Sequence, residues 1–172
     1  MQSHGNKKLN KKKVIKQLSL IAGLTTADLL SKAWADRFLS IYDKKPVIPG
    51  FFDLWLAENT GISYSLLARL PSSLAPWLIY LPSFVIILFV FFRLRRFNQL
   101  GLRPAGLLMF LSGALGNLLN RLANGKVTDF LYFHVLNTQG YPILNFADLL
   151  VGAGTLLWIY QELTHRSKLR NI

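Results

Sequence analysis

The run "LAPWLIYLPSFVIILFVFF", residues 74–92, limits what this chain can become more than any other stretch. Its 19 residues carry no charge. That is close to the roughly 20 apolar residues a helix needs to cross the hydrocarbon of a bilayer. Pro76 and Pro82 lie inside it, which is tolerable where neighbouring helices satisfy the freed backbone groups. Composition points the same way: 52% of residues are hydrophobic, 13% are aromatic, and mean hydropathy is +0.33. Such values lean towards a membrane protein, and 172 residues fit one domain. The absence of cysteine excludes a disulfide framework, a cysteine nucleophile and thiolate metal sites.

Three further spans are expected. The first, residues 18–35, carries Asp28 and Lys32 four apart, on one helix face where they would pair rather than meet lipid. A signal peptide is the rival reading there. Its apolar core covers only residues 18–24, however, and no small-x-small cleavage site follows. The third span runs from Pro104 to about Leu119, with Gly106, Ser112, Gly113, Ala114 and Gly116 allowing close helix approach. The fourth, residues 143–160, ends in Trp158 and Tyr160, which suit a membrane interface.

The net charge of +12 would fit nucleic acid if it formed one face with stacking aromatics. It does not. Six basic residues fall in residues 1–17, four in 93–103 and three in 161–172, each cluster flanking an apolar run. That is the pattern of cytoplasmic loops under the positive-inside rule. Four spans place both termini in the cytoplasm and residues 36–73 and 122–142 outside. The expected fold is a mainly α membrane protein, with four transmembrane helices and a small β-rich extracytoplasmic subdomain. Strand-like pieces "VIPGFFDLWLAEN" and "GISYSLLARL" lie in the first outer loop. The chain divides into a basic cytoplasmic segment (1–17), expected to be disordered, one membrane domain (18–162, including the outer loop 36–73) and a basic cytoplasmic tail (163–172).

The stretch "GNLLNRLANGKVTDF", residues 116–130, places Asn117, Asn120 and Arg121 on one helix face and Asp129 after a Gly-Lys turn. Asp148 falls about one turn inside the fourth span. Two carboxylates sharing a site cannot both ionise easily, so one serves as general base and the other as general acid. Such a pair can activate water against a peptide carbonyl and protonate the leaving nitrogen. Asn145, three residues before Asp148 and on the same expected helix face, would orient a carboxyl or a substrate carbonyl; Arg121 and Asn117 would hold the loop carrying Asp129.

Each residue also has a plainer role. A lone loop aspartate such as Asp129 is more often a cap. Asp148 would pair structurally with Arg121, Asn117 and Asn120 would join helices, and Arg121 would snorkel to the interface. Trp34, Trp55, Trp77 and Trp158 are most simply interface anchors. His4, His134 and His165 are isolated, so no metal site is expected, and neither a G-x-S-x-G nor a phosphate-cradling glycine loop is present.

Taken in order, the segments from about residue 18 to 160 resemble signal peptidase II, the bacterial lipoprotein signal peptidase family. "DLLSK" (Asp28 to Lys32) resembles the family's D-Q-x-x-K motif, and "ENTGISYSLL" (Glu58 to Leu67) its N-x-G-x-(A/S)-(F/Y)-S stretch. "GALGNLLNRLANGKVTDFLYF" (Gly113 to Phe133) resembles G-x-x-G-N-x-x-D-R…G-x-V-x-D-F. "PILNFADLLVGAG" (Pro142 to Gly154) resembles F-N-x-A-D-x-x-(I/V)-x-x-G. The first two motifs are weak alone; the last two, at this spacing, are specific.

The resemblance implies an aspartic endopeptidase of the bacterial cytoplasmic membrane that removes signal peptides from diacylglyceryl-modified prolipoproteins. It implies four membrane helices, an outer β-cradle and a short outer helix. Asp129 and Asp148 would be the catalytic dyad. Asn59, Gly61, Asn117, Asn120, Arg121, Asn145, Asp28 and Lys32 would be supporting or substrate-contacting. No cofactor and no metal would be needed. The partners would be the lipid-modified substrate and membrane lipids, with no nucleic acid, and the protein would be a monomer. Asn120 stands where the family usually has Asp, Ile62 and Tyr64 enlarge a stretch usually smaller, and Leu149 replaces a common serine. Such departures are what a specialised paralogue would show. The rival classes are a catalytically altered relative that binds lipidated peptides, and a small membrane transport or assembly subunit.

Overall fold

The structure, a computed structural model, describes residues 11–60, 75–95, 102–134 and 142–170. In chain order its elements are α1 (Lys11–Phe38), β1 (Lys45–Ile48), β2 (Phe52–Asn59), α2 (Ala75–Leu94), α3 (Leu102–Asn124), β3 (Val127–Phe133), β4 (Ile143–Leu144) and α4 (Phe146–Arg170). Residues 11–17, expected to be disordered with the rest of the basic start, are the opening turns of α1. The piece "GISYSLLARL" and Gly61 lie outside the described residues, and no short outer helix occurs among the described ones.

Helix α3 touches each of the other three helices. Its pairing with α4 depends on missing side chains: a Cβ at Gly106 would come within 2.8 Å of the Gly154 carbonyl oxygen, and one at Gly154 within 2.6 Å of the Gly106 carbonyl oxygen. Small residues at a crossing let two backbones pack directly. Towards one end of the bundle, Ile21 of α1, Ile87, Val90 and Leu94 of α2, and Leu107, Leu108 and Leu111 of α3 make an apolar core. Towards the other end the buried positions turn polar: Asp28 and Lys32 on α1, Asn120 on α3, and Asn145 before α4.

That polar end carries the sheet. Four antiparallel strands lie in the order β1-β2-β3-β4. Gly50, at φ 75°, closes the β1–β2 hairpin, and Gly125, at φ 71°, lets α3 turn into β3; both are left-handed conformations that glycine adopts without strain. β3 is short and nearly fully buried. Asp129 is therefore a strand residue, paired with Ala57 of β2, and not the loop residue the sequence suggested.

The four expected spans fall on α1 to α4. The fourth starts later than expected, because residues 143–144 pair as β4 and the helix opens at Phe146. Among the described residues, no helix is long and apolar enough to cross a membrane.

Candidate active site

Asp148 lies in the first turn of α4, not a turn deeper. Asn145 precedes that helix and caps it. Its side-chain oxygen accepts from the Asp148 amide at 2.9 Å, while its own backbone amide donates to Asp148 Oδ2 at 3.0 Å. This reciprocal pair is a capping box, built from Asn and Asp three residues apart. Asn145 and Asp148 thus face one another across the helix start rather than sharing a helix face.

The amide of Asn145 has a second job. Its Nδ2 donates to Asp129 Oδ1 at 2.6 Å and to Asn117 Oδ1 at 3.1 Å. Asp129 also accepts from Asn59 Nδ2 at 3.0 Å. Strand β3 and the start of α4 are therefore tied through one residue, and that residue is fully buried.

The orientation of Asn117 is dictated by charge. Lys32 Nζ donates to Asn117 Oδ1 and to Asp28 Oδ2, each at 2.7 Å. An ammonium can only donate, so the Asn117 oxygen must face it. Its Nδ2 is left for the carboxylate of Asp148, to which it donates at 2.9 Å. Asp28 in turn accepts at 2.8 Å from the Ala147 amide, one of the amides at the start of α4 that have no partner within the helix. Gly116 makes room for this carboxylate, since any Cβ there would collide with it. Asp28 and Lys32 are 0% and 1% exposed, so they hold each other as a buried pair rather than as surface charges.

Of the three carboxylates Asp28, Asp129 and Asp148, only Asp28 pairs directly with the Lys32 ammonium. Burial pushes the pKa of Asp129 above the ordinary carboxylate range, and the nearby Asp148 adds to that. The Asn59 and Asn145 amides and Lys32 pull in the other direction. A proton kept on Asp129 relieves the crowding of negative charge.

Among the expected supporting residues, Asn59, Asn117, Asn145, Asp28 and Lys32 come together here. Asn120 does not touch either aspartate: its Oδ1 accepts from the Thr128 amide at 2.8 Å. Arg121 forms no ion pair among the described residues, with Asp148 or with Asp129, and its Nε is buried without a partner. Gly116, the Ala147 amide, Thr128 and Asp36 were not anticipated as part of the surroundings. The capping box was not read from the sequence, although Asn followed three residues later by an acid is the signal that could have shown it. Among the described residues, no three His, Asp or Glu side chains gather as metal ligands would.

A family profile described as "Signal peptidase (SPase) II" matches residues 20–164. The chain belongs to the signal peptidase II family. Its curated relatives include the "Lipoprotein signal peptidase" of Beijerinckia indica, 37% identical over 139 residues that cover 80% of this chain and 81% of that protein. The enzyme of the same description from Pseudomonas aeruginosa is 38% identical over 132 residues, or 76% and 77% of the two chains. A solved structure described as a "Bacterial membrane enzyme" shares the fold, with a TM-score of 0.73 at 22% identity, over 86% of this chain and 92% of the other. As a signal peptidase II the protein is a bacterial membrane hydrolase, an aspartic protease that removes signal peptides from lipid-modified prolipoproteins.

Proposed function

We propose that Asp129 and Asp148 are the dyad that performs this cleavage. The carrying observation is that Asn145 binds both, Asp129 through its side-chain amide and Asp148 through its backbone amide. One carboxylate, ionised, takes a proton from water as the oxygen attacks the scissile carbonyl. The other, protonated, gives its proton to the leaving nitrogen as the carbon–nitrogen bond breaks. The proton taken from water then passes to the carboxylate that gave one up, which restores the starting single-proton form of the pair.

The same reading places α1 to α4 across the cytoplasmic membrane, with the sheet outside, both termini in the cytoplasm and the protein monomeric. It is supported by a surface that is inverted relative to the interior. Leu30, Leu81, Phe84, Phe92 and Leu156 are exposed on the helices, while Asp28, Lys32 and Ser112 are buried between them. Lipid would cover the first set. A half-open, largely apolar groove of about 220 Å³ lies between α2 and α3, lined by Trp77, Tyr80, Leu81, Phe84, Leu118 and Leu122. It suits an acyl chain of the substrate, because Leu118 and Leu122 flank Asn117 and Arg121 on α3.

Cleavage of a diacylglyceryl prolipoprotein by the purified protein tests the proposal. Wild type should yield mature product, and Asp129→Asn and Asp148→Asn should each yield almost none. A variant with near-normal turnover would show that its aspartate is not part of the dyad.

A further inference from the structure

Asp129 is oriented by its carboxylate contacts, but the backbone beneath it is held by something else. Thr128, the preceding residue, is 1% exposed and gripped from two helices. Its amide donates to Asn120 Oδ1, near the end of α3, at 2.8 Å. Its hydroxyl donates to Asp36, near the end of α1, with both carboxylate oxygens at 3.1 Å. Successive strand residues point to opposite faces, so Thr128 and Phe130 face α1 while Asp129 faces Asn145. The edge-on contact of Trp34 with Phe130, at 6.4 Å between ring centroids, continues the same α1–β3 seam.

We infer that Asp36, Thr128 and Asn120 form a latch that positions Asp129 for the reaction. None of the three touches the dyad carboxylates through a side chain. They act through the strand, fixing how far Asp129 projects towards the start of α4. Misplacing a reacting group by about 1 Å costs up to about 100-fold in rate, so a latch on the adjacent residue has leverage on turnover. Asp36 is exposed, and the residue it grips is buried. The hydroxyl–carboxylate bond is therefore the part of the latch that can be cut without leaving a buried charge unpaired.

This inference rests on Asp129 being catalytic, and the experiment separates the two. Full-length enzyme in lipid nanodiscs is assayed on a diacylglyceryl prolipoprotein, with kcat and KM measured separately. Thr128→Val removes the hydroxyl and keeps the shape and strand preference of the residue. It should lower kcat about tenfold and move KM less than about twofold. Thr128→Ser, which restores the hydroxyl, should recover most of the loss. Asp36→Ala should match Thr128→Val, and the double variant should be no worse than either single one, because both cut one bond. A Thr128→Val enzyme with normal kcat, a Thr128→Ser enzyme as slow as Thr128→Val, or losses that multiply in the double variant would overturn the latch. Asp129→Asn is the control: if it is active, the dyad and the latch fall together. If it is inactive while Thr128→Val is normal, only the latch falls.

Discussion

Asp148 and Asp129 reach the same place by opposite routes. Asp148 is three residues from Asn145, and both of its bonds with that residue close within the first turn of one helix. Asp129 is held by Asn145, 16 positions away, and by Asn59, 70 positions away. A locally closed ring forms whenever its helix starts, whereas a strand residue is only as well placed as the sheet and helices packed around it. One half of the dyad is thus anchored to α4 and the other to the assembled fold.

The widest separation of the two comes from neutralising each aspartate in turn. Asp129→Asn and Asp148→Asn should both reduce cleavage by about 1,000-fold or more, the scale of lost general acid–base catalysis. Their stabilities should differ. Asp148→Asn also weakens a helix cap, and should cost about 1 kcal/mol in a denaturation measurement. Equal losses in both variants, or a larger one for Asp129→Asn at neutral pH, would contradict the idea that only Asp148 is built into a helix start.

A second break works through Lys32. Removing one member of a buried ion pair leaves the other charge uncompensated, at a cost of about 3–5 kcal/mol. Lys32→Met should therefore destabilise the protein strongly and also release Asn117 from the orientation that serves Asp148. Asp28→Asn/Lys32→Met should recover much of the stability, since no charge is stranded. It should not recover full turnover, because only the 3.1 Å bond from Asn145 Nδ2 then holds the Asn117 oxygen. A double variant as unstable as the single one would mean that packing, not charge, sets the loss.

The local half of this arrangement was the more legible from sequence. The order of segments, the apolar run of α2, the Asp28–Lys32 spacing and the motif around Asn145 and Asp148 are all short-range patterns, and the structure brings those residues together. What escaped depends on distant partners. Asp129 looked like a loop residue because a strand of seven residues, nearly all buried and packed by α1 and α3, leaves no alternation of apolar and polar side chains to detect. Arg121 looked like a partner for Asp148, yet their relative placement is set by the α3–α4 crossing at Gly106 and Gly154, which sequence spacing does not encode. Asn120 looked like a deficit of charge near the dyad. It is instead an acceptor for a backbone amide, a task an amide oxygen performs without adding charge.

The electrostatic difference can be read from pH. Burial raises the pKa of Asp129 in the fold above its unfolded value, so the native state binds that proton more tightly than the unfolded chain does. Its contribution to stability is then complete at low pH and is lost as pH rises through the raised folded value. Wild type should lose thermal stability over that interval, while Asp129→Asn, which cannot ionise, should not. The melting temperature of the variant minus that of wild type should therefore increase with pH. A difference that stays flat from about pH 4 to 8 would show that Asp129 does not titrate differently in the fold.

The smallest effect isolates a single bond on the Asp129 side. Asn59 donates to Asp129 Oδ2, and that hydrogen bond favours the ionised form. Asn59→Ala removes it, so the shared proton should be held to higher pH. The alkaline limb of the cleavage profile marks loss of that proton and should move upward. Turnover at the optimum should fall by less than about tenfold, since one hydrogen bond is worth roughly 1–1.5 kcal/mol net. The ring between Asn145 and Asp148 is untouched by this change, so the acid limb should move less than the alkaline one. If instead the acid limb moved and the alkaline limb stayed, the proton governing activity at high pH would belong to the Asp148 side. The comparison between the two aspartates would then have to be drawn the other way round.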